Sequence, residues 1–476
     1  MKIIVINAPF IKDFCRCQRW PARTRGRALR MPDWLCYAAA VLKNEGIDTE
    51  LYDFVARGWD KKKLFALLKE KKPDFLILDS TTPSIFSDLE CAHIAKDAAG
   101  AKVIMVGPHA TALPEETLRN SQGSVDLIAL GEFDYTIADI IRQWPNISAV
   151  EGIAFLKDDA FTRTPPRRLI EDLDALPFPS RQGLDIMHYF DAGRLYPYID
   201  IIGGRGCPYQ CTFCQWPQVI FGHHYRFRSA KNIVDEIEYD LQLFPLLRYG
   251  EFFFEDDTFT VNKERAWEIC KEISRRNLKI NWSANARPDI YDIELFKEMK
   301  RLGCREFLVG FESGNQQILD NVKKGVTLAQ SREFMRTAKE AKISVHGCFV
   351  VGLPGETKET AQETIDFALS LGVDTLQFSA AVPLPGSAYF KYCKDAGLLQ
   401  TQSWQDWLDG GEQGAVVAYP GLSIEEINAL VNKGLRKFYL RPQFILRFAF
   451  TNKNIFDLFR KCKGMYNFIS YLLTKG

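Results

Sequence analysis

YIDIIGGRGCPYQCTFCQW, residues 198–216, is the most informative part of this sequence. It begins as a short apolar β-strand and ends in a glycine-rich turn that carries Cys207, Cys211 and Cys214, spaced four and three residues apart. Cysteine thiolates are the usual ligands of four-iron clusters, which take four of them. Three cysteines in one loop therefore leave one iron without a protein ligand, open to a chelating small molecule.

A zinc site or a set of buried structural cysteines is the alternative interpretation of this loop. Structural zinc normally takes four protein ligands. The fourth would have to come from a residue such as His223 or His224, which lie shortly after the cysteines.

Six strand-like stretches, separated by helix-like sequence, follow one another from the cysteine loop onwards. They are YIDII, GEFFFEDDTFT, KINWSANARP, CREFLVGFES, ISVHGCFVVGLPG and VDTLQFSAAVPLPG. Helices are predicted between them, for example from Ser229 to Leu243 and from Thr327 to Ala341. Six such units predict a partial (β/α)6 TIM-like barrel over residues 197–390 rather than a closed eightfold one.

The N-terminal part of the chain, residues 1–147, has a similar alternation of short apolar strands and amphipathic helices. This rhythm predicts an α/β domain with a doubly wound parallel sheet, in a Rossmann-like arrangement. Loops with the sequences STTPS, GPHAT and GEFD follow its third, fourth and fifth strands, where such sheets bind ligands. No G-x-G-x-x-G follows the first strand, which argues against a nicotinamide cofactor.

A long segment rich in arginine, residues 7–34, follows the first strand. It carries Cys15 and Cys17 and six arginines: Arg16, Arg19, Arg23, Arg25, Arg27 and Arg30. Loops of this length in compact domains are functional or mobile. The arginines are candidates to bind phosphate or carboxylate groups, and the alternative is a solvated basic loop.

Two further regions complete the organisation. Residues 148–196 are rich in proline and charge and are predicted to be a linker. Residues 391–476 are predicted to form a mainly helical C-terminal region, in which lysine and arginine alternate with phenylalanine, tyrosine and leucine. Such a pattern is typical of a helical cap on the barrel or of an interfacial helix at a membrane.

Composition limits the function classes. The net charge of the 476 residues is +1, so no nucleic-acid partner is expected. No apolar run is long enough for a spanning helix, and the N-terminus reads as a strand rather than a signal peptide. We therefore expect a cytoplasmic protein whose 12 cysteines are reduced, some of them metal ligands.

The cysteine spacing, together with FFFEDDTFT, GCREFLVGFESGNQQILDNVKKG and CFVVGLPGET, resembles the radical S-adenosylmethionine (SAM) enzymes. The resemblance covers about residues 197–390. It implies that Cys207, Cys211 and Cys214 are the catalytic residues that hold a [4Fe-4S] cluster. SAM would bind the open iron and be cleaved reductively to a 5′-deoxyadenosyl radical.

Carried over position by position, the resemblance also implies SAM contacts at the strand ends. Phe213 would lie beside the adenine, and Asp256 and Asp257 near the SAM amino group. The predicted contacts to the ribose, the methionine part and the adenosine are Glu312, Ser313, Gly352 and Gly355.

The N-terminal stretches RMPDWLCYAAAVLKNEGIDTELYDF, VGPHATALPEETL and DLIALGE resemble the vitamin B12-binding domain of the cobalamin-dependent branch of that family. The corrin would lie on the carboxyl edge of the sheet. The residues predicted to neighbour cobalamin are Ser80, Thr81, Thr82, Gly107, Pro108, His109, Gly131 and Glu132.

One motif of related B12 domains is missing. No D-x-H-x-x-G loop follows the first strand, so we expect cobalamin without a histidine on the lower face of the cobalt. His109 is expected to donate or accept a hydrogen bond at the corrin instead. Cys15, Cys17 or a residue of the arginine-rich segment is a candidate for the lower cobalt face.

The resemblance implies a class B-like methyltransferase that methylates an unactivated carbon through methylcobalamin. A cobalamin-linked oxidative cyclase or rearrangement enzyme without methyl transfer is the alternative, and a non-catalytic cofactor-binding protein is a third hypothesis. The expected partners are a bulky or apolar substrate (a lipid, a tetrapyrrole or a protein segment) and a low-potential electron donor such as flavodoxin or ferredoxin. Peripheral membrane contact through the C-terminal region is a further expectation.

Overall fold

The computed structural model describes residues 1–16, 21–401, 403–408, 414–442, 444 and 455–475. The N-terminal sheet has the strand order β2-β1-β3-β4-β5-β6-β7. Its first five strands are parallel and are β1 (Lys2–Asn7), β2 (Asp48–Asp53), β3 (Phe75–Asp79), β4 (Lys102–Val106) and β5 (Leu127–Ala129). The predicted doubly wound parallel sheet is confirmed.

Helices cover both faces of this sheet. They are α1 (Asp33–Asn44), α2 (Phe54–Arg57), α3 (Lys61–Lys71), α4 (Ile85–Ala99), α5 (Pro108–Ala112), α6 (Pro114–Asn120) and α7 (Asp134–Gln143). Strand β1 shows why both faces need cover. Ile3 and Val5 belong to one hydrophobic core and Ile4 and Ile6 to another, because successive side chains of a strand point to opposite faces.

The predicted linker is in part a continuation of the sheet. Strands β6 (Ile153–Lys157) and β7 (Ala160–Arg163) add to it as an antiparallel hairpin. Asp158 and Asp159, the two residues of its turn, have φ angles of 48° and 63°, which suit a tight hairpin. The hairpin was not predicted, because the proline-rich stretch directly after it made the whole region resemble a linker.

The central domain is a six-stranded parallel sheet with the order β15-β14-β13-β12-β11-β8, as predicted. Its strands are β8 (Tyr198–Ile201), β11 (Glu251–Phe254), β12 (Trp282–Ala286), β13 (Cys304–Glu312), β14 (Ser344–Val351) and β15 (Thr375–Ala380). A short antiparallel pair, β9 (Gly204–Arg205) and β10 (Arg226–Phe227), flanks the cysteine loop.

The crossover helices of this domain are α8 (Ala230–Leu243), α9 (Lys263–Arg275), α10 (Ile293–Arg301), α11 (Gln316–Asn321), α12 (Leu328–Glu340) and α13 (Lys358–Leu371). The side chains of Ser229 and Thr327 cap α8 and α12, at the two positions where the sequence predicted helices to begin.

The C-terminal region contains α14 (Ala388–Asp395), α15 (Ile424–Tyr439) and α16 (Ile455–Lys475). Helix α15 packs on β15 and buries Ile427, Val431 and Phe438. This region is mainly helical where the structure describes it, as predicted. Within the described residues, no helix has the combined length and hydrophobicity to cross a bilayer.

Part of the arginine-rich segment lies across the open side of the barrel, between its two edge strands. Arg25 Nη1 donates to the carbonyl oxygen of Phe378 in β15 (3.1 Å), and the Tyr198 hydroxyl of β8 donates to the carbonyl oxygen of Leu29 (3.0 Å). The N-terminal domain thus supplies a piece of the wall that six strands leave incomplete.

A glycine substitution tests the packing at the start of β13. Gly303 has a φ of 96°, and a Cβ there would lie 2.0 Å from the Ile280 carbonyl oxygen. Gly303→Ala is expected to lower the free energy of unfolding by about 3 kcal/mol or more, because strain and overlap combine. Gly46→Ala, with a φ of 75° and open space around it, should cost only about 1 kcal/mol. Thermal unfolding compares the two variants, and equal shifts of their midpoints would contradict the predicted overlap.

Candidate active site

The cysteine loop begins directly after β9 and is held by hydrogen bonds to the residues that follow it. The Cys207 amide donates to the Gly222 carbonyl oxygen (3.3 Å), and Gln218 Nε2 donates to the Cys214 carbonyl oxygen (2.6 Å). Gly206 has a φ of 86°, and a Cβ there would lie 2.2 Å from the carbonyl oxygen of His224. Glycine is therefore required at the position that turns the chain into the loop.

The Cys211 thiol has a charged neighbour. Cys211 is buried, while Cys207 and Cys214 are half-buried. Arg287, directly after β12, places Nη1 3.8 Å from Cys211 Sγ. Burial opposes the charge of Arg287, but the hydrogen bond and charge of Asp289 prevail and raise the pKa of the guanidinium above its ordinary value.

The donor set of this loop suits an iron–sulfur cluster better than zinc. Three thiols on one loop are the ligands that such clusters take, and a guanidinium lies beside one of them. Among the described residues, no group of three or more His, Cys, Asp or Glu side chains is close enough to hold one metal ion, and the three cysteines are no exception. The zinc alternative with His223 or His224 gains no support; His223 Nδ1 lies 3.2 Å from the Cys207 carbonyl oxygen instead.

Asp256 lies at the carboxyl end of β11, fully buried, and supports the entry to the cysteine loop. Its carboxylate accepts hydrogen bonds from the amides of Gly203 (2.6 Å) and Gly204 (3.1 Å), from the Tyr225 hydroxyl (3.0 Å) and from Arg265 (2.9 Å). Both carboxylate oxygens thus bind protein donors. The contact of Asp256 to the SAM amino group stays a prediction.

A small cavity opens where the two domains meet beside this loop. The N-terminal domain contributes Trp34, which lies 5.1 Å from the Trp216 ring and 4.6 Å from the Phe221 ring between centroids. The barrel contributes carboxylates at the end of β11. The lining residues are Trp34, Gly204, Arg205, Trp216, Phe221, Glu255 and Asp257.

The residues predicted to contact SAM from β13 and β14 lie at the same end of the barrel. Glu312 has a φ of 65°, and its carboxylate accepts from Lys324 Nζ (2.7 Å). The Ser313 hydroxyl lies 3.0 Å from that of Thr364. Gly352 and Gly355 have φ angles of 92° and 84°, a conformation that favours glycine. Phe213 is buried in the core beside the cysteines.

The residues predicted to contact cobalamin lie after β3, β4 and β5, at one edge of the N-terminal sheet. Ser80, Thr81 and Thr82 are buried there. Gly107, just before Pro108, has a φ of 100°, and a Cβ would lie 2.1 Å from Asp79 Oδ1 and 2.6 Å from the Ser80 carbonyl oxygen. The two loops thus approach as closely as a glycine allows. Small hydroxyl side chains and closely spaced loop backbones suit the predicted cofactor. Gly131 lies on the same edge of the sheet.

His109 is buried and hydrogen-bonded within the protein. Its Nδ1 lies 3.1 Å from the Thr82 hydroxyl, and its ring meets Trp404 edge-on at 5.4 Å. Burial lowers the pKa of His109 to about 3, so the imidazole is neutral at physiological pH. The neutral ring fits the predicted role as a hydrogen-bonding neighbour, which stays a prediction.

Glu132 joins the two domains. Its carboxylate accepts from Arg205 Nη1 (2.8 Å), Arg226 Nη1 (2.8 Å) and the amide of Ile170, while Asp134 accepts from Arg205 Nη1 (2.7 Å). Burial alone would raise the pKa of the Glu132 carboxyl, but Arg205 and Arg226 hold it below its ordinary value. Glu132 was predicted beside the corrin; in the structure, its carboxylate pairs with arginines of the barrel.

The arginines of the long segment pair with the protein's own acids. Arg16 Nη2 donates to Asp88 (2.8 Å), and Arg30 Nη1 lies 2.7 Å from Glu255. Cys15 is buried, whereas Cys17 and Arg19 lie outside the described residues. Neither a solvated basic loop nor an open anion site describes Arg16 and Arg30.

Comparison with known proteins decides the family. The model of the Radical SAM superfamily matches residues 201–368, and the model of the B12 binding domain matches residues 31–141. An uncharacterized methyltransferase of Pyrococcus horikoshii is 30% identical over 442 residues, which are 91% of this chain and 93% of the relative. The chain belongs to the cobalamin-dependent radical SAM enzymes.

Two further comparisons bear on fold and reaction type. The anaerobic magnesium-protoporphyrin IX monomethyl ester cyclase of Cereibacter sphaeroides is 30% identical over 377 residues, which are 76% of this chain and 60% of the cyclase. The solved structure of the radical SAM methyltransferase TsrM from Kitasatospora setae has a TM-score of 0.71 at 16% identity and covers 99% of this chain and 100% of that one. The second likeness confirms the predicted fold.

Family membership confirms the predicted cofactors: a [4Fe-4S] cluster, SAM and cobalamin. Sequence reasoning missed several residues of this radical SAM site, among them Arg205, Arg287, Trp34 and Trp216. Arg287 directly follows a barrel strand, so its position after a strand end was a usable signal. The pairing of Arg205 with a distant domain left no local signal.

Substitution of Arg205 tests the contact between the domains. Arg205→Met leaves two buried carboxylates, those of Glu132 and Asp134, without this partner, so we expect a loss of about 3–5 kcal/mol in the free energy of unfolding. Arg142→Met breaks exposed ion pairs and should cost less than about 1 kcal/mol. Calorimetry of both variants would show the difference, and a loss of similar size in both would refute the proposed contribution of Arg205.

Proposed function

We propose that this chain is a radical SAM methyltransferase that methylates an unactivated carbon with the aid of cobalamin. The observation that carries the proposal is that the cluster-loop side of the barrel and Trp34 of the B12-binding domain face each other around one small cavity. Chemistry that needs both cofactors at one substrate requires their loops to face each other in this way. The relative with similar length and 30% identity is named a methyltransferase.

In this proposal, Cys207, Cys211 and Cys214 hold the cluster. The loops that carry Ser80 to Thr82, Gly107 and Gly131 hold cobalamin. When bound, the cluster supplies the electron that cleaves SAM, and cobalamin supplies the methyl group.

Residues of the chain itself shape the site and exclude water from it. Trp34, Trp216 and Phe221 pack against one another and exclude water from one wall of the cavity. Arg205 fixes the distance between the domains through Glu132 and Asp134. A rigid spacing matters because reacting groups must be held in contact for efficient transfer.

The substrate is proposed to be bulky or apolar, such as a lipid, a tetrapyrrole or a protein segment, in keeping with the aromatic wall of the cavity. The electron is proposed to come from a low-potential donor such as flavodoxin or ferredoxin. Oxidative cyclisation is the second candidate reaction, because a cyclase is 30% identical over three quarters of this chain.

The reaction type can be read from the products. Anaerobically reconstituted protein is supplied with cobalamin, SAM, a low-potential reductant and extract of the source cells, and the mixture is analysed by mass spectrometry. Methyl transfer predicts both 5′-deoxyadenosine and S-adenosylhomocysteine, with a gain of one methylene in a component of the extract. Replacing Cys207, Cys211 and Cys214 by alanine should abolish deoxyadenosine, whereas Cys462→Ala, at an exposed cysteine on α16, should not. Extract-dependent deoxyadenosine alone favours the cyclase.

We further propose that α16 contacts a membrane surface. The helix buries charged side chains and exposes apolar ones. Arg460 and Lys461 are buried and both pair with the buried Asp457. The outward face carries the apolar side chains of Leu458, Phe459, Met465, Tyr466 and Ile469, which are between 42% and 73% exposed. A stripe of this kind suits the boundary between lipid head groups and acyl chains.

Charge favours an anionic bilayer over a neutral one. Residues 441–476 contain seven basic side chains and one acid; Arg460 and Lys461 are buried with that acid, Asp457, and the other five make this stretch basic. Lys463 lies on the exposed side of α16. Basic residues beside an apolar stripe add attraction to acidic lipids.

Vesicle binding tests this proposal. The full chain should sediment with vesicles of phosphatidylglycerol and phosphatidylcholine and much less with phosphatidylcholine alone. Replacing Leu458, Tyr466 and Ile469 by serine should weaken binding roughly tenfold or more, because buried apolar area is lost. Tyr392→Ser removes an equally exposed side chain on α14 and should have no effect. If the chain does not bind vesicles but forms dimers that depend on these three residues, the proposal is wrong and the apolar face is a protein interface.

A further inference from the structure

We propose that Arg287 sets the reduction potential of the iron–sulfur cluster by acting through Cys211. The inference rests on the proposed role of Cys207, Cys211 and Cys214 as cluster ligands. Arg287 would therefore act indirectly, because it contacts a cluster ligand rather than the substrate. The evidence is the geometry of one guanidinium group.

Each nitrogen of that guanidinium has a defined partner. Nε donates to Asp289 Oδ1 (3.0 Å), and Nη2 donates to Asp289 Oδ2 (3.2 Å) and to the Lys324 carbonyl oxygen (2.7 Å). The remaining nitrogen, Nη1, is the one that lies 3.8 Å from Cys211 Sγ. The Tyr209 ring covers one face of the group, 3.4 Å from Cζ to the ring centroid. Arg287 is thus fixed with one N–H edge toward the sulfur.

The contact is shielded from water. Arg287 is 4% exposed and Cys211 is 9% exposed. Away from solvent, a charge acts on its neighbours through a lower effective dielectric, so the effect of the guanidinium on the sulfur is stronger than at the surface. Because Nη1 lies beside Cys211 Sγ, the effect of Arg287 reaches the cluster through this ligand.

The direction of the effect follows from the charge balance. The cluster gains one electron from the external donor and becomes more negative. A positive charge and an N–H donor at a ligand sulfur stabilise the reduced state more than the oxidised state, which raises the reduction potential. Asp289, which binds the same guanidinium with both oxygens, opposes part of this effect.

The two partners therefore make opposite predictions. Arg287→Gln removes the positive charge, so the potential should become more negative. Arg287→Lys keeps the positive charge but loses the planar guanidinium that Asp289 holds in place, so it should give a reduction potential between those of the wild type and Arg287→Gln. Asp289→Asn removes the opposing negative charge while the Lys324 carbonyl and the Tyr209 ring still hold Arg287, so the potential should become more positive.

The measurement is a redox titration of the anaerobically reconstituted full chain, followed by electron paramagnetic resonance, without SAM or substrate. Shifts of opposite sign in Arg287→Gln and Asp289→Asn support the proposal. An unchanged potential in Arg287→Gln, or shifts of the same sign in both variants, would overturn it, because general damage to the site has no reason to reverse sign.

Iron and sulfide analysis separates this proposal from the proposed function. If replacing Cys207, Cys211 and Cys214 by alanine leaves the cluster content unchanged, the ligand assignment fails, and the inference about Arg287 fails with it. If the wild-type cluster forms and its potential responds as predicted but no methyl group is transferred, only the proposed reaction fails. Should Arg287→Gln not retain a cluster, Arg287→Lys and Asp289→Asn decide by the signs of their shifts.

Discussion

The buried ion pairs of Arg205 with Glu132 and Asp134 are the interaction on which the rest of the site depends. Arg205 lies two residues before the first cysteine of the cluster loop, and both acids lie just after the last parallel strand of the B12-binding domain. Desolvated charges of this kind are costly unless their geometry is good. The carboxyl edges of two separate sheets are thereby tied together at the point where each holds its cofactor loops.

That tie explains why the site lies where it does. Open parallel sheets offer ligands the loops at the carboxyl ends of their strands. Both sheets of this protein present such an edge, and Trp34, Trp216 and Phe221 fill the space between them with aromatic surface. Neither domain alone encloses the cavity. The chemistry proposed for the chain therefore belongs to the interface rather than to either fold.

Much of this arrangement was predictable from local sequence. Alternating strand and helix patterns predicted both parallel sheets, and the cysteine spacing predicted the family, because these signals lie within a few residues of one another. The hairpin of β6 and β7 was missed because its strands are four and five residues long and stand beside prolines. Asp256 was placed correctly at a strand end, but its four hydrogen-bond donors come from elsewhere in the chain. Partners far apart in sequence leave no local pattern, which is also why the neighbours of Glu132 and Arg287 were not foreseen.

The arginine-rich segment across the barrel's open side has a consequence for how the chain folds. Arg25 and the carbonyl of Phe378 that it binds are separated by 353 residues. On a ribosome, the N-terminal sheet can form long before β15 exists, yet residues 24–30 must wait for nearly the whole barrel to be synthesised before they find their place. Contacts between such distant residues form late, since the intervening chain must first be ordered. Closure of the barrel wall therefore cannot precede synthesis of β15, and it makes the two ends of the barrel sequence dependent on the N-terminal segment.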